Sequence, residues 1–212
     1  MNIESSRTSY ELGELVETAV DADPVAQLRR WLAEAYADAA TIDANAMCLA
    51  TVNDDGQPSA RIVLVRGLDA RGLQFFTSYL SRKGRDLARN QLAAATFFWP
   101  HMQRQVRIEG RVSQLSEDES DAYFESRPHE HRLSAWASEQ SEPVESRAVL
   151  EERMEHFAAR FEGTDVPRPH SWGGYLIVPS RYEFWQGRKN RLHDRLEYRR
   201  DGSAWTIRRL QP

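Results

Sequence analysis

Five short apolar runs follow one another between residues 46 and 115, without the alternating crossover helices that a parallel sheet needs. They cover 46–52 (AMCLATV), 59–66 (SARIVLVR), 73–77, 93–99 and 103–115. The first two are joined by Asn53-Asp54-Asp55-Gly56, whose Asp-Gly pair signals a hairpin, and the last two meet at Pro100-His101. Only a short basic helix over 81–89 (SRKGRDLAR) interrupts the series. Parallel neighbours would require a dozen or more residues per connection, so the spacing predicts an antiparallel barrel.

Helical patterns flank these strands. Asp23 and Pro24 read as the N-cap and first residue of a helix fading near Asp38, with Val25, Leu28, Trp31, Leu32, Ala35 and Tyr36 on one face. A helix over 116–126 opens on a capping-box pattern, Ser116 and Glu119. Two more, over 131–138 and about 144–161, complete a helical insert at about 116–162. Further strands are expected at 174–178, 181–185 and 191–198, the last paired with 205–209. Residues 1–22 carry Glu4, Glu11, Glu14, Glu17 and Asp21 against Arg7 alone, and read as a mobile N-terminal arm. The remaining 23–212 read as a single domain, mainly β with flanking helices (α+β).

Several function classes are excluded on chemical grounds. The 212 residues hold 28 basic and 32 acidic side chains, a formal charge of −4, which argues against bulk nucleic-acid binding. The run 188–200 (RKNRLHDRLEYRR) holds six Lys or Arg, but its charges alternate with Leu192, Leu196 and Tyr198 as on a strand with one charged face. The single Cys48 excludes a disulfide framework, and His129-Glu130-His131 lacks the spacing that puts two metal ligands on one helix face. No apolar run approaches ~20 residues and no signal peptide opens the chain, so a cytoplasmic protein without a membrane partner is expected. Rossmann, P-loop and nucleophile-elbow glycine patterns are missing.

Two constellations carry chemistry. Arg61 sits within an apolar strand, sharing a face with Val63 and Val65, while Ile62, Leu64 and Arg66 take the other face. Arg82 and Lys83 open the helix that follows the third strand, where backbone N–H groups also point outward. Cations converging with helix N-terminal donors predict a phosphate site. The second constellation is Trp185-Gln186-Gly187 followed by Arg191, His193 and Arg195, which on a strand would share one face. Two guanidiniums beside an imidazole would lower its pKa and keep it neutral near pH 7. That suits an anionic ligand with a proton-transfer or hydrogen-bonding role; a cross-strand salt-bridge ladder would produce the same pattern.

The strings RIVLVRG (61–67), FFTSYLSRKGRDLARN (75–90), RQVRIEGRV (104–112), YFESRP (123–128), AWASEQS (135–141), WGGY (172–175) and EFWQGRKNRLHDRLEY (183–198) resemble the pyridoxamine 5′-phosphate oxidases. The resemblance implies an antiparallel Greek-key split β-barrel that binds FMN between the subunits of a homodimer. Carried over by motif, Arg61, Ile62, Val63, Leu64, Val65, Arg66, Phe76, Thr77, Arg82, Lys83 and Gln105 would contact FMN. Gln140, Ser141, Trp185 and Arg195 would complete that site from the other chain. Arg66, Tyr123, Arg127 and His131 would hold the phosphate of a phosphorylated pyridine substrate, and Arg191 and His193 would face its reacting carbon. Arg7 and Tyr10 are similar to a lid over the substrate. The activity implied is oxidation of pyridoxine or pyridoxamine 5′-phosphate by O2, giving pyridoxal 5′-phosphate and hydrogen peroxide. The family usually carries Lys at position 66, Ser at 131 and Gly at 134, where this chain has Arg66, His131 and Ser134. A phenazine-biosynthesis type oxidase of another ring, or a flavin- or haem-binding split barrel without turnover, are the alternative readings.

Overall fold

The computed structural model describes residues 9–212; Arg7 lies outside them. Helix α1 (Pro24–Ala37) leads into strands β1 (Ala46–Val52), β2 (Pro58–Leu64), β3 (Gly67–Asp69) and β4 (Gly72–Ser78). Helix α2 (Arg82–Arg89) precedes β5 (Leu92–Trp99) and β6 (Arg104–Gln114). Then come α3 (Glu117–Glu125), α4 (His129–Ala137) and α5 (Arg147–Arg160), followed by β7 (Trp172–Gln186), β8 (Asp194–Asp201) and β9 (Ala204–Arg209). No helix among the described residues is long and apolar enough to cross a membrane.

The nine strands form one antiparallel sheet in the order β2-β1-β5-β6-β7-β4-β3, with β8 added to β7 and β9 to β8. It curls so that alternate side chains meet inside: Met47, Leu49, Phe97, Val106, Ile108, Tyr182 and Phe184 are all inaccessible. Helix α1 closes the core. The Asp23 carboxylate accepts from Val25 N at 3.0 Å, Pro24 starts the first turn, and Leu28 and Trp31 are buried, Trp31 lying edge-on to Phe184. Burying a side chain such as Leu28 contributes ~1.5–3 kcal/mol. A satellite core under α3–α5 gathers Phe124, Leu133, Phe161, Val166 and Trp172.

Strand β7 organises everything else. Its first half pairs with β4 (Ser78↔Trp172 to Leu73↔Ile177), its second with β8 (Arg181↔Arg199 to Gln186↔Asp194), while β6 runs along its other edge. The sequence predicts two strands here, 174–178 and 181–185; the structure has one strand of 15 residues. Pro179 is accommodated at a register shift between Glu109 and Gly110, where no ladder N–H is required of it. Gly110 is needed at that crossing, since a Cβ there would lie 2.3 Å from Val178 O.

The expected arm is docked from residue 9 onward. Gln103 Oε1 accepts from the backbone N–H of Glu11 (2.9 Å) and Leu12 (3.2 Å), Asp194 accepts from Leu15 N, and Leu15 is buried. Helix α4 starts at His129 and α5 at Arg147, each shifted by two or three residues from the sequence expectation. The larger correction concerns β8, which begins at Asp194. Arg191 closes a 3-10 turn (Lys189–Arg191) at φ 63°, so Arg191 and His193 lie on a loop and the strand alternation expected for them does not apply.

Candidate functional site

Arg61 points toward α2. Its Nη1 donates to Leu49 O (3.2 Å) and Thr51 Oγ1 (2.7 Å), and its Nη2 donates to Ser59 Oγ (2.9 Å). The Thr51 hydroxyl in turn donates to Asp86 on α2 at 2.6 Å, and Asp86 lies 3.8 Å from the guanidinium. Ser81 caps α2 by accepting from Gly84 N, and the next two residues, Arg82 and Lys83, supply the cations. Arg82 is exposed, whereas Lys83 is only 7% exposed. The Lys83 ammonium donates to Thr77 Oγ1, Ser81 Oγ and Gln140 Oε1, each at 3.1 Å, and meets no carboxylate among the described residues. Burial, then the nearby Arg61, pushes its pKa down to about 8. The expected convergence of Arg61, Arg82 and Lys83 is therefore present, and Thr51, Ser59 and Asp86 hold it in a way the sequence does not announce.

Gln140 belongs to this group within one chain. Thr77 Oγ1 donates to it at 2.8 Å, so its expected origin in the other subunit is corrected. The α4–α5 connection that brings it in passes through Ser141 at φ 79°, exposed at the surface.

Beside these groups opens a cleft of about 700 Å³. Ile62, Val63, Leu64, Arg66, Phe76, Thr77 and Gln140 line one part of it, and Tyr123, Ser126, Arg127, His131 and Trp172 the rest. Part of the cofactor set inferred from the motifs and the phosphate-binding part of the substrate set thus share one cavity. Val65 is buried behind it in the core. Past Leu64 the chain leaves the ladder, Arg66 N donating to Gln74 O, and the Arg66 side chain is exposed. Phe76 stacks on Tyr123 at 3.7 Å, and Trp172 extends the stack. Arg127 lies over Trp172 at 4.5 Å, and its buried Nη1 has no hydrogen-bond partner. Desolvation disfavours its charge, with Arg66 adding repulsion. A half-buried guanidinium with an unused donor and a buried ammonium without a counter-ion fit a doubly phosphorylated occupancy, one anion at each. The planar aromatic stack and the peptide edges of β2 and β4 fit a flat ring, so the donor set suits a flavin phosphate and a second phosphate.

The remaining candidates form a separate group. Gln105, Trp185 and Arg195 are register partners across β6, β7 and β8. His193 lies 4.7 Å from Trp185, and Tyr10 is edge-on to both rings at 5.8 and 5.6 Å. Tyr10 reaches them by packing on Gly187, where a Cβ would meet its ring at 2.8 Å. Arg188 N donates to His193 Nδ1 at 3.1 Å, so the neutral imidazole carries its proton on Nε2. The pKa of His193 is lowered, as expected, but burial is the first cause and Arg191 the second. Arg191 is exposed and makes no hydrogen bond or ion pair with the described residues. Arg195 donates from Nε to Glu183 (2.9 Å) and from Nη1 to Gln211 O (2.8 Å). Sequence reasoning missed Gln103, which at φ 53° clamps the arm beside Tyr10; nothing local marks it.

Comparison with known proteins gives a consistent picture. The family described as "Pyridoxamine 5′-phosphate oxidase" matches residues 32–161, and "Pyridoxine 5′-phosphate oxidase C-terminal dimerisation region" matches 172–212. A pyridoxine/pyridoxamine 5′-phosphate oxidase of Bordetella avium is 55% identical over 213 residues, covering 100% of both chains. The protein of that name from Rubrobacter xylanophilus is 52% identical over 97% of this chain and 94% of its own. Among solved structures, PhzG from Burkholderia lata, in complex with tetrahydrophenazine-1-carboxylic acid, superposes with a TM-score of 0.88 at 33% identity. That match covers 97% of this chain and 100% of the other.

Proposed function

The chain belongs to the pyridoxamine 5′-phosphate oxidase family, and from that premise we propose an FMN-dependent oxidase of pyridoxine 5′-phosphate and pyridoxamine 5′-phosphate. The products are pyridoxal 5′-phosphate and hydrogen peroxide, with ammonia released from the amine after water adds. The observation that carries this reading is the cleft lined by Arg127 and by Thr77 and Gln140, the two residues behind which the uncompensated Lys83 is hydrogen-bonded. FMN, when bound, supplies the two-electron acceptor that protein side chains lack, and its reoxidation by O2 accounts for the peroxide.

The chain's own groups bind, orient and donate. Arg61, Arg82 and Lys83 hold the flavin phosphate, with Thr77 and Gln140 beside it. Arg66, Tyr123, Arg127 and His131 hold the substrate phosphate, and Phe76 stacks against Tyr123 behind them. Gln105, Trp185 and Arg195 complete the flavin site, Arg191 orients the reacting carbon's substituent, and Tyr10 covers it. His193 acts as a hydrogen-bond donor through Nε2, because its Nδ1 is already occupied by Arg188 N.

The site is shared between two copies of the chain. Thr77 pairs with Gly173 and Gln105 with Trp185, so the two groups attach twelve residues apart on β7, roughly 40 Å at ~3.3 Å per residue. A single chain holds them at opposite ends of that strand, and the matched dimerisation region contains Trp185, Arg191, His193 and Arg195.

A second reading, oxidation of a carboxylated dihydrophenazine ring, is favoured by the likeness to PhzG and by His131 in the cleft, with Ser134 bonded to its carbonyl. Steady-state oxygen uptake by the purified protein separates them. Turnover of pyridoxine 5′-phosphate with bound FMN near one per chain is expected; turnover confined to a dihydrophenazine carboxylate would transfer the assignment.

A further inference from the structure

On the outer face of the sheet, Glu183 of β7 stands directly opposite Glu197 of β8. Carboxylates facing each other across a ladder repel, and these two are almost inaccessible, at 2% and 1% exposure. Arginines make the arrangement tolerable, and the two acids divide them. Glu197 pairs with Arg181 (2.6 Å), Arg199 (3.2 Å) and Arg208. Glu183 takes Arg107 (3.2 Å) and Arg195 (2.9 Å), with Arg181 at 3.7 Å. Of the pair, only Glu183 touches Arg195.

Arg195, the register partner of Trp185, is anchored by Glu183 at Nε and by Gln211 O at Nη1, which leaves Nη2 without a partner among the described residues. We propose that Glu183 is a positioning residue that fixes Arg195 for the flavin. It rests on the reading above, in which Arg195 contacts FMN. A free arginine must lose rotamer freedom when it grips an anion, whereas one already held by a second-side carboxylate does not. Charge alone makes the opposite prediction, because removing an acid near an anion site should tighten binding. The sign of the effect therefore separates positioning from simple electrostatics.

The test compares Glu183→Gln with Glu197→Gln, equally buried and equally paired, by the FMN dissociation constant of the holoenzyme on dilution and by Tm. Glu183→Gln is expected to weaken FMN about tenfold, while Glu197→Gln lowers Tm comparably and keeps its Kd within about twofold. In the double variant with Arg195→Gln, Glu183→Gln should add no further loss. An unchanged or tighter Kd in Glu183→Gln, or an equal loss in Glu197→Gln, overturns the proposal. If Arg195→Gln itself leaves FMN affinity unchanged, the assignment of Arg195 falls and the proposal with it; a loss there without one in Glu183→Gln removes the proposal alone. Should Glu183→Gln fail to fold, Glu183→Asp keeps the charge and withdraws the reach by one methylene. A weaker Kd is expected there too, and parent affinity would overturn the proposal.

Discussion

Around β2, α2 and the α3–α4 turn, of the cations Arg61, Lys83, Arg66 and Arg127 only Arg61 faces a carboxylate, Asp86, among the described residues. On the outer face of β6 to β9, five arginines are matched by Glu109, Glu183 and Glu197. The electrostatic consequences run in opposite directions. Burial and Arg61 hold Lys83 down to about 8, so its charge is held against a cost. Burial pushes Glu197 up, but Arg208, Arg181 and Arg199 pull it further down, leaving its charge favoured. The first region stores uncompensated charge that a ligand can relieve, and the second spends its charge on itself. In the basic run 188–200 the same matching holds for Arg188, Lys189, Arg195 and Arg199, which all face acids.

The contrast can be broken at several points. Arg127→Ala should cost the most, raising KM for pyridoxine 5′-phosphate by about 30-fold or more with little change for unphosphorylated pyridoxine, because a charge-assisted pair contributes ~1.5–3 kcal/mol. Equal loss on both substrates would move the phosphate elsewhere. Arg191→Met should reduce kcat/KM at least ~10-fold with FMN occupancy intact, and His193→Asn should do less, since the imidazole only donates a hydrogen bond. A larger loss in His193→Asn would make it a proton carrier.

Lys83 sharpens the comparison through pH. The unfolded chain keeps that proton well above pH 8, whereas the ligand-free fold gives it up near 8, and a bound phosphate takes it back. FMN binding should therefore weaken as pH rises from about 8 toward 10, and Lys83→Met should flatten that slope. Because the charge is uncompensated, Lys83→Met should also leave the apoprotein's Tm no lower than the parent's. A marked fall in Tm would show the ammonium to be structural. The smallest effect on binding belongs to the matched region: Arg208→Ala leaves Glu197 paired with Arg181 and Arg199 and should leave FMN affinity within about twofold of the parent's, as a dilution measurement of Kd would show.

Local chemistry was enough to write much of this protein. Asp23-Pro24 starts α1, Asp55-Gly56 turns β1 into β2, Ser116 and Glu119 close a capping box, and the period-2 runs assign most strands, because each signal acts over a few residues. The cation cluster was legible for the same reason: an arginine inside an apolar strand is conspicuous without its partners. Tertiary structure alone decided what those charges meet. Glu183 finds Arg107 from 76 residues away, Gln140 reaches Lys83 from 57, and Gln103 catches the arm from 92. Arg191 and His193 look like strand residues until the turn at 189–191 takes a left-handed backbone at Asn190 and Arg191, after which His193 packs on Trp185 and Tyr10. Whether an arginine binds a ligand or a glutamate depends on distances through space, and no window of sequence contains both ends of them.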